Sequence, residues 1–313
     1  DYSYHGMTIG TLGVGGHLQR RDLYETMLPE SYKISPYFEY RHKRDTESVE
    51  EYSLRTANTL EEKILQLGEE NVAAFICEPV VAATIGVVGA NKTYFKRIRE
   101  ICNQYNVLLI LDEIFCGMGR LGSLYACELD GVEPDILTMA KGLGAGYQPI
   151  SAMLFSQRIY DGIKDGRGYL MLGHTYMGHP ITCAAALAVQ KIIHRDGLLD
   201  NVRQMGDYLK HGLQDLFGDH PYVGDIRGKG LLLGLELVQD KDSKKPFDNS
   251  LHLWREIQSS AMSHGLMCYP NQGTADGRSG DHILLAPPYI INQQECDDLL
   301  DKLKRTMDKV LPT

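Results

Sequence analysis

The fold is decided by residues 107–120, VLLILDEIFCGMGR, which begin as an unbroken apolar run and end in acids and glycines. Residues 107–111 are all apolar and include β-branched side chains, a pattern typical of a strand buried in a parallel sheet. Asp112 follows where such a strand should end. In open α/β folds ligands bind at that edge of the sheet, so Asp112 is a candidate site residue.

A second stretch, residues 135–146, DILTMAKGLGAG, has the same layout and leads from a strand-like run to Lys141. The glycines that follow would let the backbone pass close to a flat ring. A lysine and a carboxylate at two strand ends are what pyridoxal 5'-phosphate (PLP) chemistry needs, because the lysine binds the cofactor covalently and the acid keeps its ring nitrogen protonated. Taken alone, Asp112 could simply be an acid at the start of a helix. Taken alone, Lys141 could simply be a lysine in contact with solvent.

The motifs DEIFCGMGRLG, PDILTMAKGLGAGYQPISA and LGHTYMGHP occur in this order. With them the sequence closely resembles the class III, or ω-, aminotransferases, a family of fold-type I PLP enzymes, from Tyr4 to about Ile291. The resemblance implies an α/β fold with a mostly parallel central sheet, crossover helices and a smaller C-terminal α+β domain. We expect a partial PLP-binding large domain at residues 1–218 and the small domain at residues 219–313.

The resemblance also assigns site residues. Lys141 matches the lysine that forms the Schiff base with PLP, and Asp112 matches the partner of the pyridine nitrogen. Ile114 and Tyr4 match an aliphatic and an aromatic side chain on the two faces of the cofactor ring. Thr175 matches a threonine that reaches the phosphate of the neighbouring subunit's cofactor.

Two further cofactor-site candidates are His5, in the YHG segment, and Glu78, in CEPVV. Glu78 matches an acid near the cofactor, although by itself it would be taken for a strand-end carboxylate before a proline turn. A metal site is not expected, because His5, His174 and His179 lack the spacing of metal ligands.

Several members of the family carry a second glutamate five residues after the acid that Glu78 matches, paired with a substrate-binding arginine. Here those positions hold Ala83 and Leu284. A lone buried charge at either place would be costly, so the joint change argues against an ornithine- or γ-aminobutyrate-type carboxylate clamp. It favours the amine:pyruvate-like branch, where a mobile arginine receives the keto-acid carboxylate. Arg278 in DGRSGDH is the candidate, against the simpler interpretation of an exposed loop arginine.

The resemblance implies a PLP-dependent transaminase that moves an amino group between a primary amine or ω-amino acid and a keto acid in ping-pong order. A small-molecule amine and a keto acid would be its partners, in a homodimer whose active sites are shared through Thr175. Two alternatives stay open: a PLP-dependent decarboxylase or racemase of the same fold, and a non-catalytic or inactive fragment of such an enzyme.

The sequence opens at Asp1-Tyr2-Ser3-Tyr4, without an initiator methionine or the glycine-serine phosphate loop that the family places before the YHG segment. We therefore expect a fragment of a longer polypeptide, able to recognise the cofactor ring but to hold its phosphate weakly.

Composition narrows the class of protein further. The 313 residues carry a formal net charge of -9 and a pI near 5.7, so a nucleic-acid partner is not expected. Seven cysteines without a CxxC pair indicate free thiols in a reducing compartment. The sequence contains no apolar run of the ~18 residues that a membrane span needs, so a membrane partner is not expected. The cytoplasm is the default location, with a targeting segment lost from the N-terminus as the alternative.

Overall fold

The structure is a computed structural model that describes residues 1–311. The helices of this part of the chain are α1 (Ile9–Val14), α2 (Leu18–Arg21), α3 (Glu39–His42), α4 (Val49–Leu67), α5 (Lys92–Gln104), α6 (Cys127–Asp130), α7 (Gln157–Asp165), α8 (Pro180–Arg195), α9 (Leu198–Phe217), α10 (Leu253–Ser263) and α11 (Gln293–Val310). The strands are β1 (Ala74–Cys77), β2 (Val80–Val81), β3 (Val88–Gly89), β4 (Leu108–Asp112), β5 (Ile136–Met139), β6 (Ala152–Phe155), β7 (Val223–Lys229), β8 (Leu232–Leu237), β9 (Tyr269–Gln272) and β10 (Asp281–Leu285). Single 3-10 turns lie at Glu25–Met27, Glu69–Asn71, Lys141–Leu143 and Asn249–Leu251.

The chain divides into two compact units, each assembled from separate pieces of sequence. The terminal unit contains Asp1–Tyr52, Val80–Ala90 and the chain from Asp200 onward, and the central unit contains Ser53–Pro79 and Asn91–Leu199. Each unit therefore contains segments that are distant in sequence but close together in space. The expected domain boundary between residues 218 and 219 stays a prediction.

The central unit contains a four-stranded sheet in the order β1-β4-β5-β6. Strands β1, β4 and β5 are parallel, and β6 runs antiparallel at one edge. Helix α5 leads into β4 as the predicted crossover, and the Asn91 side chain caps its first turn by accepting a hydrogen bond from the Tyr94 backbone N–H. The apolar face of α5, which includes Phe95 and Ile98, is buried. The mostly parallel sheet with crossover helices is confirmed.

The terminal unit contains an antiparallel sheet in the order β7-β8-β10-β9. Every residue of β8 is buried. Its alternate residues Leu233, Leu235 and Leu237 join one apolar core with side chains of α9, α10 and α11. The smaller α+β part that the sequence predicts toward the C-terminus is confirmed.

Glu236, on the opposite face of β8 from these leucines, is the centre of a polar cluster. Glu236 has no exposed surface and accepts hydrogen bonds from Arg41 Nε and Arg227 Nη1, both at 2.6 Å. Arg227 also donates to the carbonyl oxygens of Ile85 and Gly86, each at 2.7 Å. These bonds fasten the turn between β2 and β3 to the sheet, and losing one partner would leave a buried charge uncompensated.

A buried histidine, His282, packs against Gly86 in the same turn between β2 and β3. Its Nδ1 lies 2.6 Å from Thr274 Oγ1, and its ring leaves no room for a side chain at Gly86, where a Cβ would come within 2.7 Å of Cγ. Burial lowers the pKa of His282 to about 3, and the charge of Arg227 acts in the same direction. The folded protein therefore resists protonation of His282 at pH values where an unfolded chain accepts it.

This difference makes stability depend on pH. Between pH 6.5 and about 3 the unfolded imidazole binds a proton that the folded one refuses, so stability is lost as the pH falls through that range. From pH 7 to pH 5 we expect the wild-type free energy of unfolding to fall by about 2 kcal/mol relative to His282→Asn, measured by urea denaturation.

Asp281 provides the control with the opposite sign. Burial raises its pKa to about 6, so the folded state binds this proton first and stability falls as the pH rises from about 4 to 6. Asp281→Asn should remove that slope while keeping the one due to His282. Parallel pH profiles for the wild type and His282→Asn would contradict the assignment.

Candidate active site

Three neighbouring strands of the central unit end at one edge of the sheet. Because β1, β4 and β5 are parallel and in register, their carboxyl ends face the same side. Glu78 directly follows β1, Asp112 is the last residue of β4, and Lys141 follows β5 after a single residue. Two acids and a lysine from distant parts of the sequence are thus delivered to one edge.

The adjacent acids Asp112 and Glu113 have different hydrogen-bond partners. Asp112 is 5% exposed, and its Oδ1 accepts a hydrogen bond of 3.0 Å from the Ile114 backbone N–H. Glu113 is also buried, but its carboxylate accepts the backbone N–H groups of Ala126 and Cys127 at 2.6 and 2.7 Å. Glu113 therefore fixes the loop after β4. The family resemblance assigns a role to Asp112 and none to Glu113.

Lys141 lies above an aromatic ring that the sequence did not single out. Its Nζ is 3.8 Å from the centroid of Phe115. The residue as a whole is exposed, but its amine is partly removed from solvent, and this desolvation lowers the pKa of Lys141. The charges of Glu78 and Asp112 act the other way and favour the ammonium form.

The backbone around Lys141 is held in an unusual conformation. Lys141 has a φ of +40°, in the left-handed region that side-chain-bearing residues rarely adopt. The turn that begins there is tied to α8, because Gln190 Nε2 donates to the Leu143 carbonyl oxygen at 3.1 Å. A Cβ at Gly144 would come within 2.7 Å of Ile150 Cγ2, so glycine is required for this packing. Strained backbone of this kind is concentrated at functional sites.

The other predicted residues of the central unit lie in two settings. Ile114 is half-buried in the loop after Asp112, and Thr175 lies in a wholly exposed run at residues 164–178. Their predicted contacts with the cofactor ring and with a neighbouring subunit's phosphate stay predictions.

Three predicted residues belong to the terminal unit. The Tyr4 ring has the Arg20 guanidinium 4.9 Å from its centroid, and His5 is buried. Arg278 has a 57% exposed side chain, and its guanidinium donates to both carboxylate oxygens of Asp22, at 2.8 and 3.0 Å. Their proposed roles at the cofactor and the substrate likewise stay predictions.

The central unit contains the side chains that PLP binding requires. Lys141 offers an amine for a covalent bond, and Asp112 offers a buried carboxylate for a protonated ring nitrogen. Thr138 is paired in register with Asp112, and its buried hydroxyl has no hydrogen-bond partner within residues 1–311. Within these residues no three His, Cys, Asp or Glu side chains are grouped to hold a metal ion. No helix of the described chain is long and apolar enough to cross a membrane.

Comparison with known families agrees with this geometry. The sequence matches the class III aminotransferase family over residues 1–307. The chain belongs to the class III aminotransferases.

The chain is similar to an aminotransferase of Gibberella zeae, with 44% identity over 308 residues that cover 97% of the chain and 60% of that protein. An uncharacterized aminotransferase of Schizosaccharomyces pombe is 44% identical over 305 residues, covering 97% of the chain and 66% of that protein. The chain thus spans about two thirds or less of these relatives. Among solved structures, the ω-transaminase of Pseudomonas jessenii in complex with PMP has a TM-score of 0.90 at 36% identity, covering 99% of this chain and 67% of that one. The fold-type I architecture is thereby established.

The positive φ of Lys141 leads to a prediction about stability. Alanine at this position keeps the steric strain, whereas glycine relieves it. We expect Lys141→Gly to have a free energy of unfolding about 1 kcal/mol greater than that of Lys141→Ala, measured by chemical denaturation.

Lys96, exposed within helix α5, is the matched control. There glycine should be less stable than alanine by about 1 kcal/mol, because helical backbone favours alanine. The same order at both positions would show that Lys141 is not held in the left-handed conformation.

Proposed function

We propose that this chain carries the active-site lysine of a PLP-dependent transaminase that moves an amino group between a primary amine or ω-amino acid and a keto acid. The observation that carries the proposal is the placement of Glu78, Asp112 and Lys141 at one edge of three parallel strands. The two half-reactions would follow ping-pong order, the amine reacting first and the keto acid second.

Each of these residues has a chemical role. PLP, when bound, supplies a ring that accepts the electrons left on the donor carbon when a proton departs. Lys141 would hold the cofactor covalently and, once released, carry the proton from and to the donor carbon. Its lowered pKa favours this role, because more of the amine is neutral at physiological pH. Asp112 would keep the ring nitrogen protonated, and Glu78 would support that acid.

Substrate selection would lack a fixed arginine clamp. Leu284 is buried within β10, and the Ala83 carbonyl oxygen accepts a hydrogen bond of 2.9 Å from Asn271 Nδ2. An acid or an arginine introduced at either place would need a partner for its charge. We propose Arg278 as the group that receives the keto-acid carboxylate. It would then exchange Asp22 for the substrate, and an exposed ion pair is easily exchanged.

We also propose a homodimer with shared active sites. The exposed run at residues 164–178 contains large apolar side chains, among them Tyr169, Met171 and Met177, each more than 60% exposed. Apolar surface of this extent is typical of an interface between subunits. Thr175 lies within the same run, where a second chain could receive it.

The first test is the visible absorbance of the purified chain after incubation with PLP and removal of the unbound cofactor. We expect a yellow band that bleaches with 1-phenylethylamine and returns with pyruvate. Lys141→Ala should form no such band, and Asp112→Asn should bleach more slowly by roughly 100-fold or more, because the ring loses its proton partner. Lys96→Ala, which changes an exposed lysine of α5, is the control and should behave as the wild type.

The outcomes separate the alternatives. Release of carbon dioxide or racemised product without a keto acid would identify a decarboxylase or racemase. A chain that shows no band, or whose Lys141→Ala variant still turns over, would contradict the transaminase proposal.

The shared site can be tested by mixing two inactive variants. In a mixed dimer of Lys141→Ala with Thr175→Arg, one site contains Lys141 from the second chain and Thr175 from the first. If Thr175 acts across the interface, that site is intact, and activity should return to about a quarter of the wild-type value after random exchange of subunits. Activity that stays absent after mixing, while native mass spectrometry shows mixed dimers, would place Thr175 in its own subunit's site.

A further inference from the structure

Phe115 lies directly beneath the amine of Lys141. The distance of 3.8 Å from Nζ to the ring centroid places the ammonium over the face of the ring, well inside the range of a cation–π interaction. The negative face of the ring attracts a cation and has much less attraction for a neutral amine. Phe115 thus distinguishes between the two protonation states of the lysine.

Both partners stand on fixed backbone. The loop after β4 that carries Phe115 is anchored by the two backbone hydrogen bonds to Glu113. Gly117 packs against that carboxylate so closely that a Cβ would lie 2.9 Å from Oε2. On the other side, the Lys141 carbonyl oxygen accepts the Ala145 backbone N–H at 2.8 Å. The contact therefore rests on two constrained turns, although the lysine side chain is itself long and flexible.

The ring acts among several opposed influences on Lys141. Burial of the amine favours the neutral form, whereas Glu78 at the end of β1, Asp112 at the end of β4 and Cys116 in the next loop favour the ammonium. Helix α8, which packs on the turn of Lys141, contributes the uncharged Gln190, whose amide is bonded to a backbone carbonyl. Phe115 favours the ammonium without adding a charge that could pair with it permanently.

We propose that Phe115 is a positioning residue that holds the ammonium of Lys141 over its ring face whenever the lysine is not covalently engaged, and so sets the pH at which the lysine gives up its proton. The inference rests on the proposed function only for the catalytic use of this proton. The contact between Lys141 and Phe115 is present whatever reaction the protein catalyses.

The test measures the pKa of Lys141 in the full chain freed of cofactor. Lysines are dimethylated with ¹³C-formaldehyde and a borane reductant, which keeps their charge, and titrated by NMR. The signal of Lys141 is the one lost in Lys141→Arg. In Phe115→Leu we expect its pKa to fall by about half a unit to one unit, because an apolar side chain of similar reach replaces the ring face.

Two variants serve as controls. Phe115→Tyr keeps an aromatic face and should keep the wild-type titration. Phe155→Leu removes an aromatic ring from β6 of the same unit and should leave the Lys141 signal unmoved. If Phe115→Leu does not fold, Phe115→Met removes the ring with a more adaptable side chain. An unchanged or raised pKa of Lys141 in the folded ring-free variant would overturn the proposal.

The loaded protein gives a second, separable measurement. The acid limb of the pH profile for bleaching by amine should move to lower pH in Phe115→Leu by the same amount as the lysine titration. A wild-type chain that never bleaches would overturn the transaminase proposal and leave the NMR comparison intact. A shifted titration with an unshifted bleaching profile would show that Phe115 does not control the proton that Lys141 transfers.

Discussion

The parallel pairing of β1, β4 and β5 is the constraint on which the candidate site depends. Parallel strands in register bring their carboxyl ends to one edge, so residues far apart in sequence become neighbours. A slip of one residue would turn the side chains of a strand to the opposite face of the sheet, and the acid and the lysine would no longer share an environment. The buried apolar residues of β4, together with α5, oppose such a slip.

At the sheet edge, Lys141 is held between competing effects. Burial favours its neutral amine, which can accept a proton, while two carboxylates and the Phe115 ring favour the ammonium. A group that must take up and release a proton benefits from opposed influences, because the lowered pKa of Lys141 makes its neutral form more accessible than that of an ordinary lysine. The left-handed backbone at Lys141 shows that the surrounding packing maintains this position against its local cost.

The terminal unit fixes a segment that the family resemblance connects with substrate choice. Arg227, oriented by the buried Glu236, holds the carbonyl groups of the turn that follows Ala83. Gly234 allows this approach, because a Cβ there would lie 2.5 Å from the Gly86 carbonyl oxygen. The charged cluster therefore fixes the path of the backbone as well as pairing charges.

The sequence by itself determined the strand-like runs and the strand-end positions of Asp112 and Lys141, because apolar runs and glycine-rich turns are local signals. The crossover helices and the small C-terminal domain were implied by the family resemblance. Only the tertiary structure gave Glu113 its role in the loop after β4 and placed Phe115 beneath Lys141. It also paired Arg278 with an aspartate 256 residues away and joined residues 80–90 to the terminal unit. Such contacts form between residues that are far apart in sequence and become neighbours only when the chain folds. A local pattern of residue types therefore does not predict them.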